Sequence, residues 1–210
     1  MINNLRSSKS MITKKLHLIL FTIFCGLNSI AFSQGVYFQE TGRGISLGGS
    51  YTYREMYGIT ITSITGELSG RVSRHVLLSI GYASLSALHQ THAALIPSVT
   101  VQTSESNLIN FAASVGYANS KLTGEIPTLM LGGELFMRIN RNSIFQIFPN
   151  LSISQSILLE KRGYTPAPVF GIGTNLGLRL SDRAFFVFGP KLLVSDGDTQ
   201  LVGNMGIVII

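Results

Sequence analysis

The sequence predicts an all-β fold: a single antiparallel, up-and-down transmembrane β-barrel of about ten strands, with eight as the alternative count. Three observations lead there. Apolar residues alternate with small or polar ones over ten short segments. The connections between those segments alternate between short and long. Charged residues make up only 12% of the chain, about half the share usual in a soluble domain.

Residues 1–33 are an address rather than part of the fold. Arg6, Lys9, Lys14 and Lys15 form a basic start with no acid before Glu40. The apolar run Leu16 to Leu27 follows, and Ala31-Phe32-Ser33 places small residues at the two positions a signal peptidase inspects. The plan is that of a secretory signal peptide cut between Ser33 and Gln34, with Met11 as an alternative start. An uncleaved anchor is the competing reading, but a spanning helix needs about 20 apolar residues and this run is short. Cys25, the single cysteine, lies inside the leader without the small neighbours of a lipoprotein site. The mature chain, 34–210, is therefore expected to hold no disulfide and no thiolate metal site. Most of the formal +6 charge also belongs to the leader, leaving about +2. No basic cluster of the kind that binds nucleic acid remains.

The first strand is Ile45 to Tyr53, with Ile45, Leu47, Tyr51 and Tyr53 opposite Ser46, Gly48, Ser50 and Thr52. The second, Ile59 to Ser73, is irregular, and its phase change near Ser63-Ile64 suggests a bulge. The third, Val76 to Leu85, sets Val76, Leu78, Ile80 and Tyr82 against Ser79, Gly81 and Ala83. The fourth, Ala93 to Gln102, has the weakest pattern, but an even strand count requires it. Without it the short turns would fall at opposite ends. The fifth and sixth are Asn107 to Ala118 and Thr128 to Ile139. The seventh, Ile144 to Ser156, places Gln146, Asn150, Ser152 and Ser154 opposite Phe145, Ile147, Leu151 and Ile153. Val169 to Leu180, Ala184 to Ser195 and Gln200 to Ile210 complete the set. Short turns are expected at Arg74-His75, Thr103 to Ser106, Asn140 to Ser143 and Ser181 to Arg183. Longer loops lie between them, such as Asn119 to Pro127 and Ile157 to Pro168.

A soluble β-sandwich also alternates, so charge placement decides. A sandwich carries charges on its outward faces. Here the apolar face of most strands has none, and the other face is mainly Gly, Ser, Thr, Asn and Gln. A strand of about 10 residues rises roughly 33 Å, and a tilt near 40° reduces this to about 25 Å, the height of an outer-membrane apolar band.

In segments such as Gly66-Glu67-Leu68-Ser69-Gly70-Arg71-Val72-Ser73, turning through Arg74-His75 into Val76-Leu77-Leu78-Ser79-Ile80-Gly81-Tyr82, the chain resembles small outer-membrane β-barrel proteins of Gram-negative bacteria. The resemblance is architectural and covers nearly all of the mature chain. It implies export to the outer membrane, lipid as the surrounding partner, and barrel-assembly machinery and periplasmic chaperones during biogenesis. The short outer loops lead to the expectation of a non-enzymatic envelope protein, structural or ligand-binding through those loops, with no cofactor and as a monomer. Two features depart from better-known members: there is no tryptophan, and the last residue is Ile210 rather than an aromatic. Tyr51, Tyr53 and Tyr117 are expected near the outer rim, with Phe145 and Phe186 near the periplasmic rim.

Six charged residues share the inward parity: Glu67, Arg71, Glu134, Arg138, Arg179 and Lys191. Arg71, Arg138 and Arg179 are expected near the periplasmic mouth, with Glu67, Glu134 and Lys191 at mid-height. Glu67 and Arg71 stand four apart on one strand, about 13 Å, so partners must come from other strands. A salt-bridged polar filling is the first reading, and a small anion-favouring pore is the alternative. His89 and His92 in the second outer loop, and Asp196 and Asp198 in the fifth, are the residues that metal binding or rim hydrolysis would use. Outer-membrane proteases of the omptin type use such residues, but on far longer walls. Gly171-Ile172-Gly173 is not a dinucleotide loop, because no helix follows it.

Overall fold

The computed structural model describes residues 44–56, 59–87, 90–103, 109–119, 127–140, 143–160, 167–196 and 198–210. The leader 1–33 and His89 lie outside the described residues. Ten strands follow in chain order: β1 Gly44–Met56, β2 Ile59–Ser73, β3 Val76–Ala87, β4 Gln90–Gln102 and β5 Ile109–Ala118. Then come β6 Thr128–Met137, β7 Phe145–Leu158, β8 Val169–Ser181, β9 Ala184–Ser195 and β10 Asp198–Ile209. Each strand pairs antiparallel with its neighbours in sequence, and β1 pairs with β10, so the sheet closes into a barrel. Closure removes every sheet edge along the paired length, which an isolated amphipathic sheet cannot do.

Alternation is the organising force. Along β5 the residues from Ile109 to Ala118 are exposed and buried by turns, apart from the partly covered Ser114. Ile45, Leu47, Leu68, Leu78, Ile80, Leu95, Leu151 and Ile172 all point outward and are exposed. No Asp, Glu, Lys or Arg faces outward from a strand among the residues whose side chains are described. Outward Tyr51, Tyr82 and Tyr117 lie toward one end, and Phe145 and Phe186 toward the other. The Phe186 ring stacks on Phe188 at 5.4 Å. The side chain of Tyr53 is outside the described set.

Three expectations need correction. The bulge in β2 is not at Ser63-Ile64. The β1–β2 register runs unbroken from Gly44–Arg71 to Met56–Ile59, and the shift falls between Arg71 and Ser73 against β3. The continuous register keeps Ile64, Leu68 and Val72 outward. Second, the contrast in loop length is weaker than expected. At the end opposite Arg74-His75, the connections 57–58, 88–89 and 196–197 span two residues each, and only 119–127 and 159–168 are long. Third, strand ends differ: β6 stops at Met137, with Ile139 held only by a bridge to Ile147. Asn140 and Asp196 adopt left-handed backbone (φ 59° and 48°) and turn the chain, a conformation short polar side chains tolerate.

Candidate functional site in the barrel interior

The interior is built from inward positions of all ten strands, and it divides into three levels. At the end bearing the turns at Arg74-His75 and Asp182-Arg183, the filling is apolar. Phe148, Phe185 and Val187 are fully buried there, with Leu77, Ala112, Phe136 and Val208 packed into one cluster and Ile210 against it. Sequence reading missed this plug. It weighed the polar inward residues and passed over Phe136, Phe148 and Phe185. Phe148 shares the parity of Gln146 and Asn150, so the signal was present.

The three expected arginines lie beside the plug. Arg71 donates from Nη2 to Gln102 Oε1 (3.4 Å) and from Nη1 to the carbonyl of Arg74 (3.1 Å). Arg138, just past β6, donates from Nε to Gln146 Oε1 at 2.9 Å. Arg179 stands over the Phe185 ring, 5.5 Å from its centre. Side-chain amides and an aromatic face thus hold these guanidiniums, Gln146 and Phe185 from an adjacent strand and Gln102 from β4, two strands away from Arg71.

The middle level is polar. Glu67, Glu134 and Lys191 are all buried there, with Asn150, Asn175, Asn204 and many hydroxyls also buried on the inward face. Glu67 has glycines as both cross-strand neighbours, Gly48 on β1 and Gly81 on β3. Lys191 has Gly173 beside it on β8 and lies flat over that strand. A Cβ added to Gly171 would come within 2.8 Å of Lys191 Cε, and one on Gly173 within 3.1 Å of its Cγ. Glycine here makes room for a long side chain rather than a turn. Ser46 bonds Ser69, and Ser50 Oγ lies 2.8 Å from Thr65 Oγ1, tying β1 to β2 across the wall. Glu67 Oε1, Lys191 Nζ and both amide atoms of Asn204 are buried without a hydrogen-bond partner. Above them, Val169, Leu193 and Val202 form a second apolar cluster, with Leu158 against it.

Of the four rim candidates, His89 and the side chain of Asp198 lie outside the described residues. His92 belongs to strand β4 rather than to a loop, and Asp196 is the left-handed residue of a tight turn. Asp198 opens β10. Among the described residues, no group of three or more His, Cys, Asp or Glu is placed to hold a metal ion.

No family model matches the chain, and no curated protein matches it. Solved structures do. It is similar to outer-membrane β-barrels. The β domain of the Bordetella autotransporter BrkA is 10% identical, with 80% of this chain and 98% of that one covered and a TM-score of 0.46. The translocator domain of the autotransporter NalP from Neisseria meningitidis is 9% identical, covering 80% and 88%, TM-score 0.44. The KdgM porin in complex with disordered oligogalacturonate is 7% identical, covering 80% and 98%, TM-score 0.42.

Proposed function

We propose that the chain is a non-enzymatic integral outer-membrane β-barrel, closed rather than freely conducting, that acts structurally or binds through its two long loops. The observation that carries this is the outward face. Apolar residues cover it on every strand, and it bears no charge among the described side chains. Soluble monomers rarely expose contiguous apolar patches beyond a few hundred Å², whereas a bilayer stabilises such a band. The charges face inward, the arrangement expected of a barrel in lipid. Closure is favoured by the Phe148–Phe185 cluster, which fills one mouth.

The same reading includes export through a signal peptide ending at Ser33, an outer-membrane location in a Gram-negative bacterium, and insertion as a monomer. The six inward charged residues then serve as a polar filling that spaces the wall. The test is electrophoretic mobility of the membrane fraction with and without boiling. Closed barrels resist detergent until heated, so a heat-dependent shift is expected. A chain that stays soluble and shows no shift would overturn the reading.

A further inference from the structure

Among the described residues, the exposed charges of the two rims differ in their balance of sign, and the difference bears on what surrounds them. We infer that the short-turn rim docks anionic phospholipid headgroups, with Arg74 and Arg183 as the residues that hold the phosphates. The inference rests on the membrane-barrel reading above.

The turn β2–β3 presents Arg74 and His75, and the turn β8–β9 presents Asp182 and Arg183, all exposed. The two turns flank the seam where β1 meets β10. Directly beside them the wall is apolar and open: Ile45 is 59% exposed, Val72 63%, Leu180 56% and Ile209 55%. The hydrocarbon boundary therefore falls within a residue or two of both guanidiniums. That is the depth at which a long basic side chain reaches a headgroup while its stem lies along apolar surface.

Both turns are fixed at the backbone. Arg71 Nη1 donates to the Arg74 carbonyl, and the His75 amide donates to Ser73 Oγ at 3.2 Å. The Arg183 amide donates to Ser181 Oγ at 3.3 Å, and its carbonyl accepts from the Ile210 amide at 2.9 Å. With the main chain held, the guanidiniums project from stable positions, which limits the entropy lost when a phosphate is bound in the bidentate manner arginine favours. Arg138 and Arg179, partly exposed at the same mouth, add positive potential. Asp182 is the exposed acid of this rim among the described residues. At the other rim the exposed, described charges are Glu160 and Asp196, both acidic.

The test uses the full mature chain refolded into vesicles of phosphatidylcholine with about 30% phosphatidylglycerol, where the anionic surface potential operates. Phosphatidylglycerol retained per barrel is measured after gentle solubilisation, for wild type, Arg74→Gln/Arg183→Gln and Arg74→Lys/Arg183→Lys. Each arginine is expected to favour retention about fivefold, so the Gln pair should lose most of it, and the Lys pair, which keeps the charge but not the bidentate fork, should fall between the two. High salt should reduce wild-type retention, and inorganic phosphate should not displace the lipid. Equal retention by wild type and the Gln pair, in samples that still show the heat-dependent gel shift, would overturn the inference alone. Full displacement by inorganic phosphate would also overturn it. Loss of the heat shift in wild type would overturn both this inference and the membrane reading.

Discussion

Replacing Leu68 by Arg separates a wall in lipid from a wall in water. Leu68 points outward from the middle of β2, 50% exposed, between Leu47 (60%) and Ile80 (48%) on the adjacent strands. Because half of it is already uncovered, substitution in water forfeits only part of a leucine's burial. It also adds a solvated charge, so the total cost stays near 1 kcal/mol. In a bilayer the same charge sits near the midplane and costs about 2–4 kcal/mol. Val72, four residues nearer the short-turn rim and 63% exposed, supplies the control. Val72→Arg should cost only about 0–1 kcal/mol in lipid, since the guanidinium reaches the headgroups. Equilibrium urea unfolding in phosphatidylcholine vesicles measures both, with an unchanged m-value confirming comparable unfolding. A gap of about 2 kcal/mol or more between the two variants is expected. Equal costs below about 1 kcal/mol would mean that no hydrocarbon lies against Leu68, and the outward face would need another partner.

Three further outcomes follow from the interior. Phe148→Ala should destabilise the barrel by about 3–5 kcal/mol, the usual cost of emptying a fully buried phenylalanine site. It should also raise conductance in planar bilayers above the wild-type baseline; unchanged conductance would mean the plug does not seal that mouth. Lys191→Met should be neutral or stabilising by about 1–4 kcal/mol, because it replaces a buried ammonium that lacks a hydrogen-bond partner with an apolar side chain of similar length. A loss above about 1 kcal/mol in a urea titration would show that Lys191 has a partner worth more than its desolvation. Gly189→Ala should cost about 1–3 kcal/mol, since the new Cβ would meet backbone, 2.8 Å from Asn175 Cα, and cannot be relieved by a side-chain rotation. A thermal midpoint equal to wild type would contradict that geometry.

The ten strands were legible because a pleated ribbon with one face in an apolar phase must alternate with period two, and that period survives in single residues such as those of β5. β9 was bounded at both ends from sequence, Ala184 to Ser195, because turn residues adjoin it. Parity also placed Glu67, Glu134 and Lys191 inside, since a strand leaves its side chains only two directions. What parity does not carry is contact across strands. That Arg138 meets Gln146, that Arg71 meets Gln102, and that Lys191 lies over Gly171 and Gly173 all depend on the register of adjacent strands. Register is set by turn geometry and bulges such as the one between Arg71 and Ser73. His92 was misplaced for a related reason. Proximity to a loop in sequence did not distinguish His92, inside a strand, from a residue free to converge with others.

The inside of this barrel also bears on where a partner can act. A soluble domain concentrates apolar residues at its centre and leaves polar groups outside; here the order is reversed at mid-height and restored at the mouths. Phe148, Phe185 and Phe136 near one end, and Val169, Leu193 and Val202 toward the other, bracket a level of Asn, Ser, Thr and three buried ionisable side chains. The lower cluster contains three phenylalanines, and truncating one such buried ring costs about 3–5 kcal/mol; on the closed-barrel reading proposed above, these rings seal that mouth. Recognition is therefore better sought at the ends, in the connections 119–127 and 159–168 and in the basic turns at Arg74 and Arg183, than in the polar interior. On the same reading, the interior charged residues are a consequence of closing ten strands around a lumen, and the exposed turns at Arg74 and Arg183 are where a lipid can meet the protein.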